Sequence, residues 1–192
     1  MKKLILYRVI SIVFLVIIIS LSVVCYNSYN TAKYAKIQIA NNNYIEWGNL
    51  LQMTDKIQNN IKSLEDIKDF AFYQNTVLYL VSDSLNPSFN GENSKCFRFL
   101  VTRYDPLMQD LAFKRVPEFY LQEGFDLFMS MNKDLKSICE YVVNSKHNQT
   151  DVKLEIMKNK STINKQIQSK INDFCNKYDE KISAYHNKFS LK

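Results

Sequence analysis

Few residues of this 192-residue chain are of the types that perform chemistry, and their spacing forms no catalytic pattern. The two histidines, His147 and His186, fall in a predicted loop and near the end of a predicted helix. The acidic pairs 65–66 and 179–180 are adjacent, so their carboxylates diverge on a helix. No glycine-rich phosphate loop, H-E-x-x-H or G-x-S-x-G sequence is present. Catalysis needs acids, bases or nucleophiles positioned together, so the sequence favours a protein that is not an enzyme.

The four cysteines, Cys25, Cys96, Cys139 and Cys175, do not form a C-x-x-C pair. Their wide spacing argues against both a disulfide framework and a zinc site. We expect buried free thiols in the soluble part, with no metal and no cofactor.

An apolar run near the N-terminus dominates the first part of the chain. Residues 9–32 carry no charge, and about 20 apolar residues suffice to cross a bilayer as a helix. A cleaved signal peptide is the alternative, but the run exceeds the roughly 7–15 residues of a signal core and no small-residue cleavage site follows. We therefore predict a membrane anchor with a short basic N-terminus at 1–27 and a second domain at 28–192.

Tyr26 and Tyr29 are predicted to lie at the membrane interface, where an aromatic ring meets hydrocarbon and its hydroxyl meets water. Three basic residues precede the apolar run, and Lys33 and Lys36 follow it. This bias predicts a single-pass protein of the cell membrane with a cytoplasmic N-terminus and an extracytoplasmic soluble domain.

The periodicity of the remaining chain is helical almost throughout. Apolar residues recur at three- and four-residue steps over about 37–81, 95–115, 117–144 and 156–189. Turn-forming residues separate the first two stretches at 86–94. Few glycines and prolines are present, which argues against a β-rich fold. The sequence predicts an all-α protein, in which one transmembrane helix precedes an antiparallel bundle of about four long helices.

Two prolines indicate where the predicted helices begin or break. Asp105-Pro106 marks a break or a fresh start in the second helix, and Pro117 starts the third. The predicted bundle core contains Trp47, Leu51, Ile61, Phe125, Ile167, Ile171, Phe174 and Tyr178. The last four are expected to pack against the first helix, between Trp47 and Ala71.

The charge is moderately basic. The formal net charge is +6, and residues 146–192 contain ten lysines against five acidic residues. These lysines are spread between the apolar positions and no arginine is among them, so we expect no nucleic-acid partner. The expected partners are the lipid bilayer and an unidentified membrane or envelope protein, with no small-molecule substrate.

Three short stretches resemble the LemA family. "YNSYN" at 26–30 is similar to the family's Tyr-Asn-Ser-Leu-Val at the membrane exit, and Trp47 lies near the position of the family's tryptophan. "IKDFA" at 67–71 is close to Val-Lys-Gly-Tyr-Ala, and "VPEFYLQEGF" at 116–125 resembles Tyr-Pro-Asp-Leu-Lys-Ala-Asn-Glu-x-Phe. The chain departs from the family at 56–64, where "KIQNNIKSL" replaces an arginine-rich segment.

The resemblance implies a membrane-anchored helical bundle with no established enzymatic activity and no cofactor. Together with the residues, it predicts a non-enzymatic interaction or scaffold module of the bacterial cell envelope. Two alternatives stay open: an extracytoplasmic ligand-sensing bundle that acts through a partner, and a spanin-like coiled-coil stalk.

Overall fold

The computed structural model describes residues 2–68, 93–158 and 160–190, and over these ranges the chain is helical with no strand. It divides into two units, Met1–Gln38 and Ile39–Lys192, here called the first unit and the bundle unit. The predicted all-α class, with one long apolar N-terminal helix and a helical bundle, is confirmed.

The helices with both ends among the described residues are α1 (Lys2–Asn60), α2 (Asn93–Phe99), α3 (Asp105–Ala112), α4 (Glu118–Val142), α5 (Thr150–Met157) and α6 (Thr162–Ser190). A π-helical turn, Leu100–Tyr104, joins α2 to α3, and a 3-10 turn, Ser145–His147, follows α4.

The first helix ends earlier than predicted. The apolar pattern extends it through Ile61 and Leu64, but α1 stops at Asn60 and the chain is not helical at 61–63. A new helix begins at 64, because the Asp66 carboxylate accepts hydrogen bonds from the backbone N–H groups of Lys62 (2.9 Å) and Ser63 (2.8 Å). The Ser63 hydroxyl also donates to this carboxylate, at 3.0 Å, and the pattern is a start signal visible in "SLED" that the periodicity obscured. The predicted continuation to 81 and most of the 86–94 loop lie outside the described residues.

The prolines act close to where the sequence placed them. Pro106 lies in the first turn of α3, directly after the π-helical turn, in which the Asp105 N–H donates to the Leu100 carbonyl. A wider turn before a proline accommodates its ring and its missing N–H group. Pro117 is the N-cap residue of α4, with extended backbone angles that end the preceding connection.

The predicted fourth helix is two helices. α5 ends at Met157 and α6 begins at Thr162. Ser161 Oγ accepts the Asn164 N–H at 3.1 Å, so it caps the N-terminus of α6. Asn164 Nδ2 in turn donates to the Ile156 carbonyl at the end of α5. The side chains of two polar residues therefore satisfy the backbone groups that the break exposes.

Within the bundle unit, α4 is the central helix. It runs antiparallel to α1, with Tyr44 paired to Asn144 and Asp55 to Lys136. It also runs antiparallel to α6, because Tyr141 bonds to Gln166 at one end. At the other end, the Tyr185 hydroxyl donates to the Tyr120 carbonyl at 3.1 Å.

The predicted partner of the C-terminal stripe, the segment between Trp47 and Ala71, is described only as far as residue 68. All four predicted residues are buried, but α6 packs mainly on α4, α2 and α5 among the described elements, rather than on the first helix. The Phe174 ring meets the Phe99 ring of α2 edge-on at 5.3 Å. The Tyr178 hydroxyl donates to the Asp134 carboxylate of α4 at 2.9 Å. Periodicity shows that a face is buried but does not identify the helix that covers it.

Gly124 sets the closest approach between α4 and α6. A Cβ atom at this position would lie 2.3 Å from the Tyr185 hydroxyl oxygen and 2.8 Å from Leu111 Cδ2. Only a residue without a side chain allows Tyr185 to reach the backbone of α4.

We predict that Gly124→Ala lowers the free energy of unfolding by about 1–3 kcal/mol, because an extra methyl group in a filled core forces neighbours to move. The measurement is urea unfolding of the detergent-solubilised chain, followed by circular dichroism.

Gly48→Ala is the matched control. A Cβ at Gly48 meets nothing within 4 Å, so this change in the α1 interior should raise stability by about 0.5–1 kcal/mol. Equal effects of the two substitutions would contradict the packing at Gly124.

Candidate functional site

The first candidate surface is the apolar side of the first unit. Among the described residues, one helix is long and apolar enough to cross a membrane, and no part of its most apolar window is buried. Ser22 Oγ donates to the Ile18 carbonyl at 2.8 Å, so its hydroxyl is satisfied within the helix, as hydrocarbon requires. Tyr26 and Tyr29, the predicted interface residues, are exposed on the same helix.

The residues predicted for the bundle core lie in one hydrophobic cluster or at its edge. Leu51 is partly buried and packs on this cluster, while the other seven are buried: Trp47, Ile61, Phe125, Ile167, Ile171, Phe174 and Tyr178.

A buried polar junction crosses this core, and sequence reasoning missed it. Asn132 of α4 accepts a hydrogen bond from the Tyr104 hydroxyl at 2.7 Å and donates to the Thr54 carbonyl of α1 at 2.9 Å. Burial raises the pKa of Tyr104 well above its usual value, so its hydroxyl stays protonated. The junction ties α1, the π-helical turn and α4 together. The signal was an asparagine on the apolar stripe of α4, between Phe128 and Leu135.

Three of the four thiols are buried in the bundle unit. Cys96, Cys139 and Cys175 are buried free thiols on three different helices. Burial raises the pKa of each, to about 11 for Cys175, so all three stay protonated at neutral pH. A protonated thiol is a poor nucleophile and a poor metal ligand. Over the described residues, no group of three histidine, cysteine or acidic side chains is arranged to hold a metal ion.

The histidines are apart from each other and half-buried. His147 Nδ1 lies 3.1 Å from the Val142 carbonyl, in the turn after α4. His186 lies between the rings of Tyr185 and Phe189, with Nε2 4.0 Å from an Asp110 carboxylate oxygen. His147 therefore lies in the turn after α4, and His186 lies near the C-terminal end of α6.

The lysines of α6 are engaged rather than free. Lys177 binds Asp134 at 2.6 Å, Lys188 binds Glu123, and Lys170 lies over the Tyr141 ring at 4.8 Å. These contacts direct three of the basic groups of α6 toward α4.

A shallow groove of about 250 Å³ lies between α4 and α6. Its lining mixes both charge signs with an apolar floor: Asp134, Ser137, Ile138, Lys170, Asp173, Phe174 and Lys177. Burial raises the pKa of Asp134, but hydrogen bonds from Lys177 and Tyr178 outweigh it, so the net pKa is lowered and the carboxylate is ionised.

The connection between α3 and α4, residues 113–119, forms a second exposed surface, here called the α3–α4 corner. The Arg115 N–H donates to the Asp110 carbonyl (2.8 Å) and the Lys114 N–H to the Leu111 carbonyl (3.2 Å). This pattern is a Schellman motif with Lys114 at the left-handed position, at a φ of 51°. The corner exposes Phe113 by 52% and Phe119 by 89%.

Comparison of the chain with protein-family models, curated proteins and solved structures finds no match. The LemA resemblance therefore rests on its motifs alone. Packing accounts for much of the third motif, since Val116 and Phe125 are buried and Gly124 meets Tyr185. Phe119 is the part of this motif that packing does not explain.

We predict that Asn132→Leu lowers the free energy of unfolding by about 1–3 kcal/mol, because it leaves the buried Tyr104 hydroxyl without its acceptor and removes the hydrogen bond to the Thr54 carbonyl. The measurement is urea unfolding of the single and double variants with Tyr104→Phe. In the double variant, the tyrosine hydroxyl is absent. The loss of unfolding free energy in the double variant should therefore be smaller than the sum of the losses in the two single variants, by about 0.5–3 kcal/mol. Strict additivity would contradict the coupling of the two side chains.

Proposed function

We propose that this protein is a single-pass, membrane-anchored helical-bundle protein of LemA-like type, which acts as a non-enzymatic interaction module in the bacterial cell envelope. The proposed membrane anchor is supported by one observation: no part of the most apolar stretch in the first unit is buried. Monomeric soluble proteins avoid apolar surfaces of this extent, and a bilayer removes them from water. Lys33 and Lys36 are the first charged residues after the apolar stretch, where the part of the chain that lies in water begins.

The interaction role is supported by the chemistry of the bundle unit. Its buried thiols are protonated and its two histidines lie apart, so neither kind of group provides a thiolate nucleophile with an adjacent histidine base. The bundle unit instead presents a polar helical surface with exposed aromatic side chains at one corner. Such a surface suits recruitment of a membrane or envelope protein.

A ligand-sensing bundle is the second candidate, and the groove between α4 and α6 favours it. Its paired charges and apolar floor suit a small zwitterion that carries an apolar group. The stalk alternative is less well supported, because α4 packs on several helices around a core, whereas a stalk requires a thin coiled coil.

The orientation follows from the positive-inside bias. In a Cys25→Ser background, we predict that Lys33→Cys is labelled in intact cells by a membrane-impermeant maleimide, while Lys3→Cys is labelled only after the cells are opened. The remaining cysteines are buried and should stay unlabelled until the protein unfolds.

The labelling experiment distinguishes the proposed orientation from the opposite orientation and from the absence of a membrane span. The opposite labelling pattern would place the bundle in the cytoplasm. Extraction of the protein by carbonate, with both positions labelled alike, would contradict the membrane span itself. Cross-linking of the native protein in its membrane then tests the interaction role, with one discrete adduct expected.

A further inference from the structure

We propose that Cys96 of α2 and Cys175 of α6 form a disulfide bond when the bundle unit lies in an oxidising compartment, and that this bond fastens α2 to α6. The structure describes the reduced form, in which both thiols are free. This inference rests on the proposed extracytoplasmic placement of the bundle unit, because structural disulfides persist in oxidising surroundings and are rare in the cytosol.

Hydrogen bonds between α2 and α6 bring the two cysteines close together. Lys95, the residue before Cys96, donates from Nζ to Asn172 Oδ1 at 3.0 Å and to Asn176 Oδ1 at 3.4 Å. Asn176 directly follows Cys175, so a chain neighbour of one cysteine contacts a chain neighbour of the other.

A ring contact brackets the pair on the other side. The Phe99 ring of α2 meets the Phe174 ring of α6 edge-on, with centroids 5.3 Å apart. Phe99 lies one turn after Cys96, and Phe174 directly precedes Cys175. Both cysteines are only 3% exposed, so they lie on the faces through which the two helices pack. A disulfide requires Cα atoms about 4.4–6.8 Å apart, a separation that closely packed helix faces can provide.

The ionisation of the two thiols agrees with their proximity. Burial raises the pKa of Cys96, and the neighbouring Cys175 raises it further, because two thiolates close together would repel each other. Burial raises the pKa of Cys175 to about 11, while the nearby Lys95 ammonium acts in the opposite direction. Cys175 is therefore the thiol of the pair that ionises more easily, which suits it to attack first.

Cys139 of α4 is the third buried thiol of the bundle unit, and its helix is placed less favourably. The backbone of α2 runs close to that of α6 over several residues and approaches that of α4 much less. Cys139 is also fully buried, and burial raises its pKa well above the usual value. The geometry therefore pairs Cys96 with Cys175 and leaves Cys139 as a free thiol.

The reaction is a thiol–disulfide exchange with a dithiol–disulfide oxidoreductase of the envelope. The Cys175 thiolate attacks one sulfur of the oxidoreductase disulfide, and the other sulfur leaves as a thiolate. The Cys96 thiolate then attacks the Cys175 sulfur of this mixed disulfide, which forms the Cys96–Cys175 bond and releases the oxidoreductase. The two thiols lose two protons and two electrons, and the oxidoreductase disulfide gains them as it becomes a dithiol.

The bond closes a loop over residues 97–174, which includes α3, α4 and α5. A cross-link removes conformational entropy from the unfolded chain, and the effect grows with the length of the loop. Because both thiols are buried in the folded bundle unit, the exchange takes place while the exported chain folds.

The test uses the full chain in detergent, unfolded in urea with reductant and then refolded in a glutathione redox buffer. Proteolysis without reductant, followed by mass spectrometry, identifies the linked peptides. We expect one dominant cross-link, between the peptides that contain Cys96 and Cys175. The oxidised protein should also unfold at a higher urea concentration than the same sample after reduction.

Cys139→Ala is the matched control for Cys175→Ala, because both remove a buried thiol. The first variant should keep the cross-link and the higher urea midpoint, and the second should lose both. Peptide mapping of the unsubstituted chain decides the pairing independently of how well either variant folds. A dominant Cys96–Cys139 link, or a mixture of links that includes Cys25, would overturn the proposal.

A second arm uses protein from cells in which free thiols are blocked at the moment of lysis under denaturing conditions. We expect Cys139 to be blocked, and Cys96 and Cys175 to react only after reduction. Blocking of all three thiols would overturn the proposal for the cell. If the maleimide pattern at positions 3 and 33 is also reversed, the failure lies in the proposed orientation, whereas the expected pattern there would place it in the disulfide alone.

Discussion

This structure depends on one constraint, which is how each apolar side chain is shielded from water. In the bundle unit, helices cover one another, and the large side chains of residues such as Tyr104, Phe128 and Tyr178 lie in one cluster. In the first unit, the apolar side chains of a single helix have no neighbouring helix within that unit to cover them, and they remain exposed. Burial of an aliphatic or aromatic side chain contributes about 1.5–3 kcal/mol, so the proposed membrane span would stabilise this helix by removing these side chains from water.

Polar groups decide where the helices stop and how they meet. Asp66 and Ser161 accept hydrogen bonds from backbone N–H groups at helix starts, and these bonds lower the free-energy cost of each break between helices. Asn132 performs a similar task inside the core, where it bonds to both Tyr104 and the backbone of α1. A buried amide with satisfied partners fixes one arrangement of the helices, since any sliding of α4 along α1 would leave these groups unpaired.

The sequence predicts the class of fold well, because periodicity indicates which residues must be buried. It identified the apolar helix, the helical nature of the rest and the buried face of α6. It could not identify the partner of that face, because Phe174 would be buried equally well against α1 or α2. The helix ends at Asn60 and Met157 were missed for a different reason. Apolar spacing continues across them, and only the caps in "SLED" and "STIN" indicate that the helix stops.

Surface features were the least predictable. The α3–α4 corner depends on a lysine in a left-handed conformation and on Phe119 pointing outward, and neither follows from composition or spacing. The "VPEFYLQEGF" motif illustrates the limit. Its glycine and second phenylalanine are buried where α4 packs, and its proline is the N-cap of that helix, whereas its first phenylalanine is exposed.

The most direct test of this account is the behaviour of residues 39–192 produced without the first unit. If the two units satisfy their apolar surfaces separately, this fragment should be soluble without detergent, strongly helical by circular dichroism, and should unfold in a single cooperative transition. Aggregation, or a broad transition with little helical signal, would show that the bundle needs the apolar surface of the first unit and would contradict the division on which the account rests.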